Sequence, residues 1–137
     1  MEYTLAIIKP MAVLKGYTGQ IISIIELNKF NIKNLEKRVL SKNIVEQFYS
    51  PLKDKPFFNE LVDNMTNKDL IVMILAKDNA IEDWRLLMGA TDPLKALPGT
   101  LRKMFGESIS YNAVHGSDSK DNAKREINLI FPDFSNF

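Results

Sequence analysis

Cysteine is absent from the 137 residues, and histidine occurs once, at position 115. The first absence excludes disulfide scaffolds, thiolate-bound zinc and iron–sulfur clusters. The second excludes a metal site built from several histidines. No apolar run reaches the roughly 18 residues of a membrane-crossing helix, and Met1-Glu2-Tyr3-Thr4 lacks the basic opening of a secretory signal. An excess of one charge is missing as well: 18 Lys and Arg face 17 Asp and Glu, a formal charge of +1. Polyanion binders concentrate basic residues on one face, so nucleic acid is not the expected partner. A small anionic ligand needs only a few well-placed cations and stays open. Internal repeats, low-complexity tracts and linkers are also lacking. With 45% hydrophobic and 26% charged residues, the expectation is one globular domain over residues 1–137, cytoplasmic and without a membrane partner.

What is present alternates between strand and helix patterns. Thr4-Leu5-Ala6-Ile7-Ile8 is a short apolar run bounded by Lys9-Pro10, as in a buried strand. Gly19 to Asn28 carries Ile21, Ile22, Ile24, Ile25 and Leu27, dense enough for a helix lying on a sheet. Asn31 to Leu40 alternates unevenly and reads as a second strand. Ser41 is placed to N-cap a short helix bearing Ile44, Val45 and Phe48, which Pro51 stops. Pro56 opens another with Phe57, Phe58, Leu61, Val62 and Met65. Leu70 to Leu75 is unbroken apolar sequence, the pattern of a central strand covered on both faces. Asn79 to Met88 has Ile81, Trp84, Leu87 and Met88 at helical spacing. Gly89 to Gly99, with Pro93 and Pro98, breaks the pattern into a long ordered loop. Asn112-Ala113-Val114 reads as a short strand, and Asp118 or Ser119 caps a last helix through Ile130. This order predicts an α+β fold, the ferredoxin-like βαββαβ sandwich with a four-stranded antiparallel sheet covered by helices. That fold hosts too many activities to name one.

A lone histidine is commonly a surface or core residue. His115 has a more telling setting: it closes a candidate strand, Gly116 would let a backbone approach a ligand, and Ser117 to Ser119 lead into a helix N-terminus, which favours anions. Imidazole, with an ordinary pKa near 6.5, is largely the neutral nucleophile at pH 7. Its second nitrogen needs a partner, and Glu126, Asp118 and backbone carbonyls are all within the choice. Phosphoryl transfer relies on positioning and on cations around the phosphate oxygens. Lys9 at a strand end, Arg85 before the long loop and Arg102 after it are suitably typed. Phe57 or Phe58, if exposed, could stack on a nucleobase with little base selectivity. No Walker A sequence, kinase glycine-rich loop or Rossmann fingerprint occurs.

Several segments, in order, resemble those of the nucleoside diphosphate kinase family. Asn112 to Ser119 reads N-A-V-H-G-S-D-S and resembles that family's N-x-x-H-G-S-D-S signature. Thr4 to Pro10 resembles its opening strand and Lys-Pro. Lys55 to Phe58 resembles its K/R-P-F-F, Arg85 to Pro93 its R-x-L-M-G-A-T-[ND]-P, and Pro98 to Arg102 its P-G-T-I-R. The resemblance spans about Thr4 to Phe131.

The resemblance implies transfer of the γ-phosphoryl of ATP or another nucleoside triphosphate to a nucleoside diphosphate, by a ping-pong route through a pros-phosphohistidine at His115. It implies that Lys9, Tyr49, Arg85, Thr91 and Arg102 contact or orient phosphates, with Lys9 and Tyr49 part of the catalytic set. Asn112 would meet the sugar, and Phe57 and Ile109 would face the base. Ser117 and Glu126 would support the histidine. Mg²⁺ is the implied cofactor, held mainly by nucleotide phosphates and water rather than by protein ligands. The implied assembly is a homo-oligomer built from dimers, tetramer or hexamer, with the loop around Pro93 to Pro98 at subunit contacts. The sequence departs from the pattern at three places: Met11 stands where Asp usually follows Lys-Pro, Lys103-Met104 replace a small residue and Asp, and Asn67-Lys68-Asp69 replace S-G-P.

Overall fold

The computed structural model describes residues 1–135; Asn136 and Phe137, the end of the expected domain, lie outside the described residues. Strand β1 (Glu2–Ile8) leads into the short helix α1 (Pro10–Leu14) and then α2 (Thr18–Leu27). Strand β2 (Asn31–Val39), helices α3 (Lys42–Phe48) and α4 (Phe58–Met65), and strand β3 (Asp69–Lys77) follow. Helix α5 (Ala80–Met88), the short α6 (Leu101–Phe105), strand β4 (Val114–Gly116) and helix α7 (Lys120–Ile130) complete the chain. The strands lie in the order β2-β3-β1-β4, and every neighbouring pair is antiparallel. The expected α+β class and four-stranded antiparallel sheet are therefore present.

Alternation along the two inner strands makes two cores, one on each face of the sheet. Leu5 and Ile7 of β1 and Leu70, Val72 and Ile74 of β3 face Val45, Phe48, Val62, Met65, Ile127 and Ile130 from α3, α4 and α7. Ala6, Ile8, Ile71, Met73 and Leu75 face Ile21 and Ile25 of α2 and Trp84 and Met88 of α5. β3 is buried from Leu70 to Ala76, which is why its sequence shows no alternation.

The clearest differences from the sequence reading are two missed helices and two shifted starts. α1 is absent from that reading; Pro10 supplies its first residue with φ already fixed. α6 is absent from it too, because five residues are too few for a periodic pattern. Thr100 caps it, its Oγ1 accepting from Lys103 N. α4 starts at Phe58 rather than Pro56. β4 is Val114–Gly116 rather than 112–114, since Ala113 has φ 74° and breaks the extended run before it. His115 is thus the middle of β4, not its end.

Candidate active site

β4 is an edge strand paired with β1, with His115 opposite Ile7. Its carbonyl accepts from Trp84 Nε1 at 3.1 Å. On the imidazole, Nε2 lies 2.9 Å from Glu126 Oε1. The same carboxylate oxygen accepts from Ser117 Oγ at 2.8 Å, and Ser117 Oγ in turn accepts from Leu5 N at 3.2 Å. Ser117 and Glu126 are both buried, so the carboxylate is fixed from β1 and from α7. Among the three partners the residues left open, Glu126 is the one used; Asp118 instead accepts from Asn122 Nδ2. With Nε2–H donating, the tautomer leaves the lone pair on Nδ1. The Phe48 ring meets the imidazole edge-on, centroids 4.8 Å apart, and limits its rotation.

Arg125 is a residue the sequence did not single out. Its guanidinium donates to the carbonyls of Gln47 at 3.2 Å and Phe48 at 3.1 Å. It therefore ties the last turn of α3, with Phe48 and Tyr49, to the helix that carries Glu126. A basic residue beside Glu126 was the only signal, and its reach to α3 is a tertiary fact.

Gly116 also works differently from the expectation above. A Cβ there would lie 2.3 Å from Trp84 Cδ1 and 2.6 Å from Met88 Cε. The glycine makes room for the indole that holds the His115 carbonyl, not for a ligand. Gly116→Ala is expected to cost roughly 1–3 kcal/mol, as overpacking does. Urea melts followed by the fluorescence of Trp84, the single tryptophan, would read this; an unchanged midpoint would refute the packing argument.

Lys9 follows β1. Its N–H bonds the Ala113 carbonyl at 2.8 Å, and its Nζ donates to Asn112 Oδ1 at 2.8 Å. Asn112 Nδ2 donates to the Thr91 carbonyl at 3.1 Å, joining the long loop to this corner. Arg102, half-buried on α6, donates to the carbonyls of Gly89 and Val114, both at 3.0 Å. Its Nε is buried without a partner among the described residues, as is the Tyr49 hydroxyl. Burial lowers the Lys9 pKa to about 7, with the nearby Arg102 charge adding to the effect. Burial likewise lowers that of Arg102 to about 10, helped by Arg85. The Tyr49 phenol is pushed up by burial and by Glu126.

The structure gathers His115, Glu126, Ser117, Lys9, Tyr49, Arg102 and Asn112. Arg85 and Thr91 are exposed at its margin. Phe57 and Ile109 stand apart from both cores, 47% and 58% exposed. Ser119 Oγ takes the Asn122 N–H at the start of α7, so that N-terminus is partly satisfied within the protein. Among the described residues no group of three or more His, Asp or Glu side chains could hold a metal ion.

A carboxylate-oriented histidine among crowded cations and unpartnered donors, on a ferredoxin-like sheet, defines a phosphotransferase type of domain. The family model for nucleoside diphosphate kinase matches residues 2–135. The chain is 53% identical over 131 residues to the nucleoside diphosphate kinase of a Nitratiruptor species, covering 96% of each. It superposes on the crystal structure of the Encephalitozoon cuniculi nucleoside diphosphate kinase with a TM-score of 0.94 at 33% identity, covering 97% of this chain and 90% of that one. The Halobacterium salinarum nucleoside diphosphate kinase, solved in complex with CDP, gives a TM-score of 0.92 at 34% identity, with 96% and 88% covered. The chain belongs to the nucleoside diphosphate kinase family, whose members are phosphotransferase enzymes.

Proposed function

We propose that the protein transfers the γ-phosphoryl of ATP or another nucleoside triphosphate to a nucleoside diphosphate in two half-reactions through a phosphohistidine at His115. One observation carries this reading: a histidine whose Nε2 is held by a buried carboxylate, beside buried Tyr49 and Arg102 donors with no partner among the described residues. Buried polar groups are nearly always satisfied, and a phosphate supplies the missing acceptors. The lone pair on Nδ1 attacks the γ-phosphorus. The N–P bond forms, the bond from that phosphorus to the β–γ bridging oxygen breaks, and the nucleoside diphosphate leaves with the electron pair. The Glu126 carboxylate offsets the positive charge this places on the ring. A terminal phosphate oxygen of the acceptor then attacks the same phosphorus, and the N–P pair returns to Nδ1.

Lys9, Arg85 and Arg102 spread the phosphate charge, with Tyr49 and Thr91 orienting the phosphates and Asn112 near the sugar. Phe57 and Ile109, two exposed apolar side chains, provide a surface for the base. Mg²⁺ fits this donor set as an ion carried on the nucleotide phosphates and water, where it would neutralise further charge. A homo-oligomer built from dimers, tetramer or hexamer, is supported by exposed Leu94 and Leu97 in the long loop, 80% and 73% accessible. No helix among the described residues is long and apolar enough to cross a membrane.

The direct test is incubation with ATP and Mg²⁺ without acceptor, followed by peptide mapping, then addition of CDP. Acid-labile phosphate is expected on His115, leaving as CTP. ATP binding with no phosphoenzyme would sink the proposal. Phe57→Ala is expected to weaken binding of purine and pyrimidine diphosphates alike, by roughly 1–3 kcal/mol for a lost stacking contact. A large loss for one base alone would contradict the stacking role.

Nucleotide binding should also take up a proton. Lys9 titrates near pH 7 in the free protein, and a phosphate beside it favours the ammonium form. Between about pH 7 and 10.5 the unfolded chain holds a proton that folded Lys9 lacks, so Lys9 makes stability rise with pH across that window. By the same linkage, ADP binding at about pH 8.5 draws in a proton, and affinity falls as pH rises above about 7. Calorimetry in buffers of different ionisation heat should show the uptake, and Lys9→Met should remove it. Identical heats in all buffers would refute it.

A further inference from the structure

Beside the site, at the end of the sheet where β1 exits, lies a cavity of about 580 Å³. Its apolar walls include Met11, Leu14, Leu61, Met65 and Tyr111. Lys9 and Tyr49 form the side nearest the proposed phosphate site, while Phe57, Ile109, Arg85, Arg102, Asn112 and His115 do not line it. The cavity is therefore not where the base or the histidine chemistry is placed. Two of the three departures from the family pattern meet here: Met11, and Lys68-Asp69. The acid usual after Lys-Pro is replaced by an apolar thioether on the wall, and two charged residues now stand on the rim.

The charge balance of the lining is one-sided. Away from Lys9, whose charge burial weakens, Lys37 and Lys68 face a single acid, Asp69. Lys37 is 3.7 Å from Asp69, and Lys68 Nζ donates to the Asp63 carbonyl at 3.1 Å. An apolar body fits walls of this kind, and lysines at the opening suit one anionic group. The volume falls in the range of small-molecule sites, about 300–1,000 Å³.

We propose that this cavity binds a small amphipathic anion, an apolar body carrying one acidic group, at a site separate from the nucleotide. The anionic group would sit by Lys37 and Lys68, and the body would lie against Met11, Leu61 and Met65.

The probe is 1-pyrenebutyrate, titrated by fluorescence into the assembled protein, with 1-pyrenebutanol as the same body lacking the charge. Saturable binding of one probe per chain is expected, at least about tenfold weaker for the alcohol. Asn64 lines the cavity and its amide makes one long bond, 3.4 Å, to the Ser110 carbonyl. Asn64→Phe fills the space and should weaken probe binding at least about tenfold, and Lys68→Glu should weaken it severalfold. Phe57→Ala should leave it unchanged. Circular dichroism spectra and urea melts like those of the unmodified protein should show Asn64→Phe and Lys68→Glu folded, which keeps this test independent of the proposed reaction. Absence of saturable binding, as when a second copy of the chain covers the cavity, overturns the proposal. So does equal affinity for the alcohol, indifference to Asn64→Phe, or loss of binding in Phe57→Ala, which would put the probe at the base surface.

Discussion

His115→Asn is expected to abolish phosphoenzyme formation and to lower nucleotide transfer by at least about 10⁴-fold, the scale seen when a covalent nucleophile is removed. ADP binding should stay close to that of the unmodified protein. The reason is a division of labour. In the proposed reaction the imidazole supplies the electron pair, whereas the cations Lys9, Arg85 and Arg102 supply most of the attraction for phosphate. The neighbouring carboxylate keeps its second partner, because Ser117 Oγ still donates to Glu126 Oε1. The fold should therefore survive the substitution. Rapid quench with labelled ATP gives the transfer rate, and calorimetry gives the affinity. Transfer at the original rate would remove His115 from the mechanism. A collapse of ADP affinity would mean that the ring is a principal phosphate ligand.

Arg102→Ala is expected to lower the rate of phosphoenzyme formation by roughly 10²–10³, as for loss of one preorganised charge stabiliser. The preorganisation is visible in its bonds. Two of its nitrogens are spent on the Gly89 and Val114 carbonyls, which leaves Nε buried and unpartnered. The same bonds join α6 to the end of α5 and to β4, so the substitution should also destabilise the fold by roughly 1–3 kcal/mol. The two effects separate by measurement. Melts give the second, and phosphorylation rates at a temperature where the variant remains folded give the first. A rate that returns to normal once the variant is folded would make Arg102 a purely structural tie. The Lys9 proton should change as well. Arg102 is one of the two causes of its lowered pKa, so its removal should move the proton-uptake window to higher pH.

Much of the fold was legible because its signals are local. β3 could be read from six consecutive apolar residues, Leu70 to Leu75, which the structure buries. α3 could be read from Ser41, whose Oγ does accept from Ile44 N. Elements without room for a pattern were missed, as α1 and α6 show with five residues each. β4 was displaced by two positions because Ala113 takes a left-handed φ, which residues with a side chain seldom adopt. Alanine carries no mark of it.

The candidate site divides along the same line. The sequence by itself determined which chemical groups are available: one imidazole, no thiol, a few cations at element ends, and a motif order that resembles one family throughout. Those are properties of residue type and spacing. Only the tertiary structure decided which groups meet. It selected Glu126 over Asp118 for His115, gave Gly116 to Trp84, brought Arg125 to the end of α3, and crowded Lys9 with Arg102. Each of these depends on distances between segments far apart in the chain. Such distances are fixed by how the two cores pack against the sheet, and no local preference encodes them.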